Sequence, residues 1–240
     1  GRPTLGYIAA SGAFTALHLG ALPVVERARA LPIVAVLLIA CAGLGVLASG
    51  NLWLSSIGLI VVSIVVAALA FGFRLGPPGP LFFVLVFGLS ASIVSTGAID
   101  GGLYLLALSA GCVFSYLLSL TPLVLPRVRR KTARPVREIL PGPALSADGR
   151  MLLLRVALVA VIGTGLGLLI DPAKIYWLVG SAIALAGVAL LFIHEAREHP
   201  ENGAAVLIGL AIALAGVFSA SVANVMQATP TAKAYSMVPL

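Results

Sequence analysis

The chain has 240 residues, of which 60% are hydrophobic and only 10% charged, with a formal net charge of +7. Soluble domains carry roughly 25% charged residues, so the composition excludes an ordinary water-soluble globule. It also excludes a disordered chain, which needs low hydrophobicity and high net charge.

The apolar residues fall into eight blocks: 4–25, 31–49, 52–73, 80–99, 102–125, 152–170, 175–193 and 203–226. A helix of about twenty residues crosses a bilayer core of ~30 Å. The period-two alternation of a membrane barrel is missing, and a helix satisfies its own backbone inside lipid. The expected fold class is therefore all-α. It is a polytopic transmembrane bundle of about eight helices in two related halves joined by a basic cytoplasmic linker. Residues 1–125 form the first transmembrane repeat, 126–151 the linker, and 152–240 the start of the second repeat.

The first block is the weakest, rich in Gly, Ala and Thr, and it holds His18, the one histidine inside a candidate helix. Two readings stand for His18. It is a packing residue, or it couples protons, because ionisable groups in membranes are costly and mark ion routes. Block 1–25 lacks the charged n-region of a signal peptide. After it comes the short connector 26–30 with Glu26, Arg27 and Arg29.

Alternating the connectors puts Arg27, Arg29, Arg74, Arg127, Arg129, Arg130, Lys131, Arg134, Arg137, Arg150 and Arg197 on one side, with Arg155 close by. The other side receives Arg2, Lys174 and Lys233. Twelve against three is a positive-inside bias. It makes the basic side cytoplasmic, in a plasma (inner) membrane, and accounts for the net charge without a nucleic-acid partner. It also leaves Gly1 outside, so a further helix is expected before it.

Between the third and fourth blocks stands Arg74-Leu75-Gly76-Pro77-Pro78-Gly79-Pro80. Prolines lack the N–H donor and cannot continue a helix. The segment is a tight turn, or a broken backbone beside a pathway with Arg74 attracting an anion. Ser90, Ser92, Ser95 and Thr96 share one helix end, where hydroxyls line a polar path or bond back to their own helix. The proline-rich basic linker 126–151 is a topogenic connector or a docking site for anionic lipid. Arg155, at the start of its helix, snorkels to the headgroups or balances an organic anion. Gly163, Gly165 and Gly167 have the spacing of close helix packing, as do Gly43 and Gly45.

A shift of 170 residues aligns Tyr7 with Trp177, Ser11 with Ser181, Ala16 with Ala186, Arg27 with Arg197, and Val36-Leu37 with Val206-Leu207. Repeats of this kind are common in transporters. Cys41 and Cys112 lie inside apolar blocks and read as small hydrophobes. His194 and His199 do not make a metal motif. No nucleophile elbow, phosphate loop or paired intramembrane carboxylate is present, so neither an enzyme nor a cofactor or metal site is expected.

The segments GYIAASGAFTAL, ERARA, RLGPPGPLFFVLVFGLSAS and LLLRVALVAVIGTGLGLL, with Tyr176-Trp177 opening the next helix, resemble the fusaric-acid-resistance-like (FUSC) family. That family is similar to the aromatic acid exporters and, remotely, to plant aluminium-activated malate transporters. The resemblance spans residues 4–225 and implies ATP-independent export or conduction of organic anions. The matching positions are Gly12, Phe14, Arg74, Gly76, Pro77, Gly79, Arg155 and Trp177. The family's halves each carry about six helices, whereas this chain holds five of the first and three of the second. A homo-oligomer or another membrane chain would then complete the pathway.

The expected function is a secondary transporter or efflux component for hydrophobic or aromatic organic anions. His18, Arg74, Arg155, Ser90 and Ser92 lie on the substrate path, and Gly12, Phe14, Gly76, Pro77, Gly79 and Trp177 are structural. The partners are membrane lipids and a small organic anion. The alternatives are an anion channel, and a non-transporting scaffold for an envelope or lipid-handling enzyme.

Overall fold

Helix boundaries follow from capping chemistry. Pro23 precedes α3 (Val24–Ala48) without a side-chain cap. The Asn51 side chain accepts from the amides of Trp53 and Leu54 and so opens α4 (Leu52–Gly72). Asp100 does the same for α6 (Gly101–Ser119) through Gly102 and Leu103, and Ser146 caps α9 (Ala147–Ile170). Each cap satisfies backbone donors that a helix start leaves free.

The computed structural model describes the backbone of residues 3–76, 78–129, 133–172 and 175–198, together with five positions between 204 and 212. The remaining helices are α1 (Pro3–Ser11), α2 (Phe14–Leu17), α5 (Leu81–Ser95), α7 (Pro126–Arg129), α8 (Val136–Ile139) and α10 (Ile175–Glu198). All regular structure among the described residues is helical. Four helices, α3, α4, α6 and α9, are long and apolar enough to cross a membrane, and three shorter apolar stretches accompany them. Most of block 203–226 lies outside the described residues.

Contacts divide the chain into two units, Gly1–Gly180 and Ser181–Leu240. In the first, α3 packs along α5, α4 along α9, and α1 against α6. The core holds Leu31, Leu38, Phe83, Phe87, Tyr104 and Leu108. The outward faces stay apolar: Leu47 is 78% exposed and Leu169 83%. An apolar face of this extent marks a membrane or interaction surface. Lipid tails are as apolar as leucine, so close packing and hydrogen bonds must hold such helices together.

Glycine positions show where that packing is closest. A Cβ on Gly12 would collide with the backbone of Gly111 and Cys112, and one on Gly111 with the Ala9 carbonyl. The α1–α6 crossing is therefore backbone against backbone. In α9, Gly163 and Gly167 receive Val179 and Ile175, while Gly165 faces open space. In α3, Gly45 meets Phe87 and Ser90 of α5, whereas Gly43 is unopposed.

Two sequence-based boundaries differ from the structure. Block 4–25 is broken, with α1 ending at Ser11, α2 spanning four residues, and an extended His18 following it. The residues expected to form a connector at 26–30 belong instead to the first turns of α3. Four of them reach other segments. Glu26 takes Arg134 in a two-pronged pair of 2.8 Å bonds. The Arg27 guanidinium donates to the Ala16 carbonyl, and the Ala28 carbonyl accepts from the Tyr116 hydroxyl of α6. Arg29 donates to the carbonyls of Ala133 and Arg134. The linker is thus fastened to the bundle, and Pro143 packs against Gly72 at the end of α4. Hydrogen bonding to Glu26 holds the Arg134 guanidinium above its ordinary pKa.

Candidate functional site

One polar centre forms where block 4–25 breaks. His18 is fully buried, and its Nδ1 lies 2.9 Å from the Phe14 carbonyl. A carbonyl only accepts, so Nδ1 carries the proton and Nε2 is the lone-pair nitrogen of the neutral ring. Nε2 is buried without a hydrogen-bond partner. The ring lies against Phe83, with centroids 4.8 Å apart, and edge-on to Phe82 at 6.2 Å. Phe82 in turn stacks on Phe14 at 4.1 Å.

Gly79 stands three and four residues before Phe82 and Phe83, which pack on the same ring, and no hydrogen bond joins it to Nε2. The Gly79 N–H donates to the Gly76 carbonyl. Gly76 and Gly79 have φ of +71° and +65°, which glycine adopts without a Cβ penalty. Arg74 and Leu19 also have positive φ, +53° and +58°. For residues of this bulk that is a costly backbone state, worth about 1–3 kcal/mol each. Such strain clusters at functional positions, and here Leu19 adjoins His18 and Arg74 opens the turn. Thr15 Oγ1 and Arg27 Nε are buried nearby in sequence, also without partners.

A second feature lies at the far end of α5. A cleft of about 310 Å³ is bounded by the end of α3, the start of α4, the end of α5 and the start of α10. Ser55, Ser56, Ser92, Ser95, Thr96 and Tyr176 give it a hydroxyl-rich wall. A third, apolar space of about 360 Å³ lies between α1, α5 and α6, with Tyr7, Phe14, Leu89 and Tyr104 in its lining.

The expected site residues distribute as follows. His18 and Phe14 meet at the first centre, with Gly76 and Gly79 in the turn that leads to it. Pro77 lies outside the described residues. Ser92 lines the cleft. Ser90 is buried beside it and donates back to the Phe87 carbonyl at 2.8 Å. Arg74 and Arg155 are exposed and line neither space. Gly12 sits in the α1–α6 crossing, and Trp177 rests on Tyr176 with centroids 5.7 Å apart.

Ser55, Ser56 and the Glu26–Arg134 pair escaped the sequence reading, whereas Phe82, Phe83 and Tyr176 stood in its quoted motifs without a site role. Ser55-Ser56, in the first turn after a helix-capping Asn51, carried a local signal. Among the described residues no group of three His, Cys, Asp or Glu side chains could hold a metal. No family model, curated protein or solved structure matches the chain.

Proposed function

We propose that the chain is a secondary transporter or efflux component for hydrophobic or aromatic organic anions, driven by the proton gradient or membrane potential and not by ATP. On this reading it is a multi-pass, FUSC-like protein of the inner membrane with linker 126–151 in the cytoplasm. It works with lipid around it, as a homo-oligomer or with another membrane chain.

The observation that supports this most is His18. Unprotonated, its Nε2 is a buried acceptor without a partner. Protonated, Nε2 becomes a donor that needs an acceptor. Gaining or losing a proton therefore changes what His18 can bond, and buried ionisable groups within membrane segments mark ion and proton routes. Phe14 and Phe82 offer faces to an aromatic substrate. Arg74 and Arg155 supply exposed positive charge that draws an anion toward the bundle.

The test is flux in reconstituted vesicles loaded with 4-hydroxybenzoate under an imposed pH gradient. Protein-dependent, gradient-dependent efflux that His18→Ala abolishes is the expected result. Flux no greater than in empty vesicles overturns the reading and favours a scaffold. Current without any proton dependence assigns the chain to an anion channel.

A further inference from the structure

Two arginines are fastened at the start of α3, each by one edge. Arg29 is exposed, and its Nη1 donates to the backbone carbonyls of Ala133 and Arg134. Arg134 gives Nε and Nη2 to the two oxygens of Glu26, three residues before Arg29 on the same helix. A guanidinium carries five N–H donors. Nε and Nη2 of Arg29 and Nη1 of Arg134 therefore stand without a partner among the described residues. Guanidiniums held in place with donors to spare are the form in which arginine takes a phosphate.

The charge at this corner is not balanced. Glu26 is committed to Arg134 and almost enclosed, with 6% of its side chain exposed. The exposed carboxylate of Glu138 stands against the exposed Arg127 and Arg137, on the short helices α7 and α8, and both helices pack on α3. From Arg29 an apolar strip runs along α3. Ile33, Val36, Ala40, Leu44 and Leu47 are exposed, and steps of three and four residues put them on one helix face with Arg29. From Arg29 to Ala40 the helix rises about 17 Å. One leaflet, half of a bilayer's hydrocarbon core, is about 15 Å deep. With the strip among acyl chains, Arg29 stands at the level of the headgroups.

We infer that this corner binds an anionic phospholipid of the surrounding leaflet, with its phosphate at Arg29 and Arg134 and an acyl chain along Ile33, Val36 and Ala40. A zwitterionic lipid brings the same phosphate but adds an ammonium, which a surplus of arginines repels. The bound phosphate bridges α3 and the linker, so the lipid fastens the linker where Glu26 already holds it. The inference rests on α3 lying in a bilayer and needs no transport.

The test is retention of lipid by the purified full chain in a mild detergent. Phosphatidylglycerol and phosphatidylcholine with matched acyl chains are added in equal amounts. The protein is passed through size-exclusion chromatography, and the lipid that stays with it is measured by mass spectrometry. Phosphatidylglycerol should be retained at least about five-fold over phosphatidylcholine, the scale of one arginine's attraction to an anionic lipid surface. Arg29→Gln should lower that ratio about five-fold. Arg150→Gln removes the same charge from an exposed position at the start of α9 and should leave the ratio unchanged. Soluble glycerol phosphate in large excess should not release the lipid, because it lacks the hydrocarbon. Equal retention of the two lipids by the unaltered protein overturns the inference. So does an equal fall in Arg29→Gln and Arg150→Gln, the mark of diffuse charge attraction. Release by glycerol phosphate overturns it too, in favour of a site for a free phosphate ester, and a stable dimer that retains no lipid assigns the strip to a second copy. The ratio for the unaltered protein and the glycerol phosphate arm need no variant. A chain that stays soluble without detergent removes the membrane premise and the inference with it. Retention is read without flux, so this inference and the transport reading fail separately.

Discussion

Arg134 grips Glu26 with two parallel bonds of 2.8 Å, across 108 residues of sequence. The carboxylate is almost enclosed, with 6% of its side chain exposed, whereas the guanidinium is 54% open to the surroundings. The Arg supplies the fork that a carboxylate needs for two-point recognition. Losing either partner leaves a charge in a place built for a pair.

Breaking that pair should release the linker. Arg134→Ala is expected to speed trypsin cleavage between Arg127 and Arg137 several-fold, because opening of a tethered segment governs its proteolysis. The exchanged pair, Glu26→Arg with Arg134→Glu, should recover most of the protection. Equal cleavage of wild type and Arg134→Ala would show that the clamp does not restrain the segment.

The α1–α6 crossing should tolerate no added side chain. Gly12→Val is expected to destabilise the fold by about 1–3 kcal/mol, the usual cost of overpacking, since its Cβ meets the backbone of Gly111 and Cys112. Gly6→Ala faces open space and should leave thermal stability unchanged. A thermal melt of each variant in detergent, followed by size-exclusion chromatography, separates the two.

At the turn, Gly79→Ala places a Cβ on a residue with φ of +65°. The left-handed state costs an L-residue about 1–2 kcal/mol, so the melting temperature should drop. The change should also move the imidazole signals of His18, because the turn leads directly into Phe82 and Phe83, whose rings pack against it. A spectrum in which His18 stays fixed would sever the proposed link between the histidine and the turn.

Thr164, on α9, is 2% exposed, and its hydroxyl has no hydrogen-bond partner. Thr164→Val keeps the shape and removes an unsatisfied polar group. Such replacements are neutral or stabilising, by up to about 1 kcal/mol. Ser63 is the contrast, since it is buried but donates to the Leu59 carbonyl at 2.6 Å. A melt in which Thr164→Val loses stability would mean that the hydroxyl has a partner in the membrane.

The long helices were legible because their signal is local. Blocks 31–49, 52–73, 102–125 and 152–170 each contain enough apolar residues to specify a helix by themselves, and they correspond to α3, α4, α6 and α9. The first block was not legible. Its break depends on Gly111 pressing on α1 and on Phe82 and Phe83 receiving His18, all contacts over long sequence distances. The charges of Glu26, Arg27 and Arg29 read as a connector, yet they lie within α3, where Glu26 and Arg29 meet partners more than a hundred residues along the chain and Arg27 meets the Ala16 carbonyl. The site divides in the same way. His18 and the glycine turn were visible singly, but nothing in their spacing joins them. The serines of α5 were visible, but their facing partners on α4 and α10 were not.

Helix α5 has only fifteen residues, a rise of about 22 Å, against about 30 Å of hydrocarbon in a bilayer. At one end it begins beside the ring of His18, and at the other it finishes in the hydroxyl-lined cleft. Irregular backbone at such depth is tolerated only where neighbouring protein covers it, and α2, α3 and α10 supply that cover. From Phe83 to Ser95 the rise is only about 18 Å. A solute moving between the two polar ends would meet an insulating layer little more than half as thick as the membrane around it.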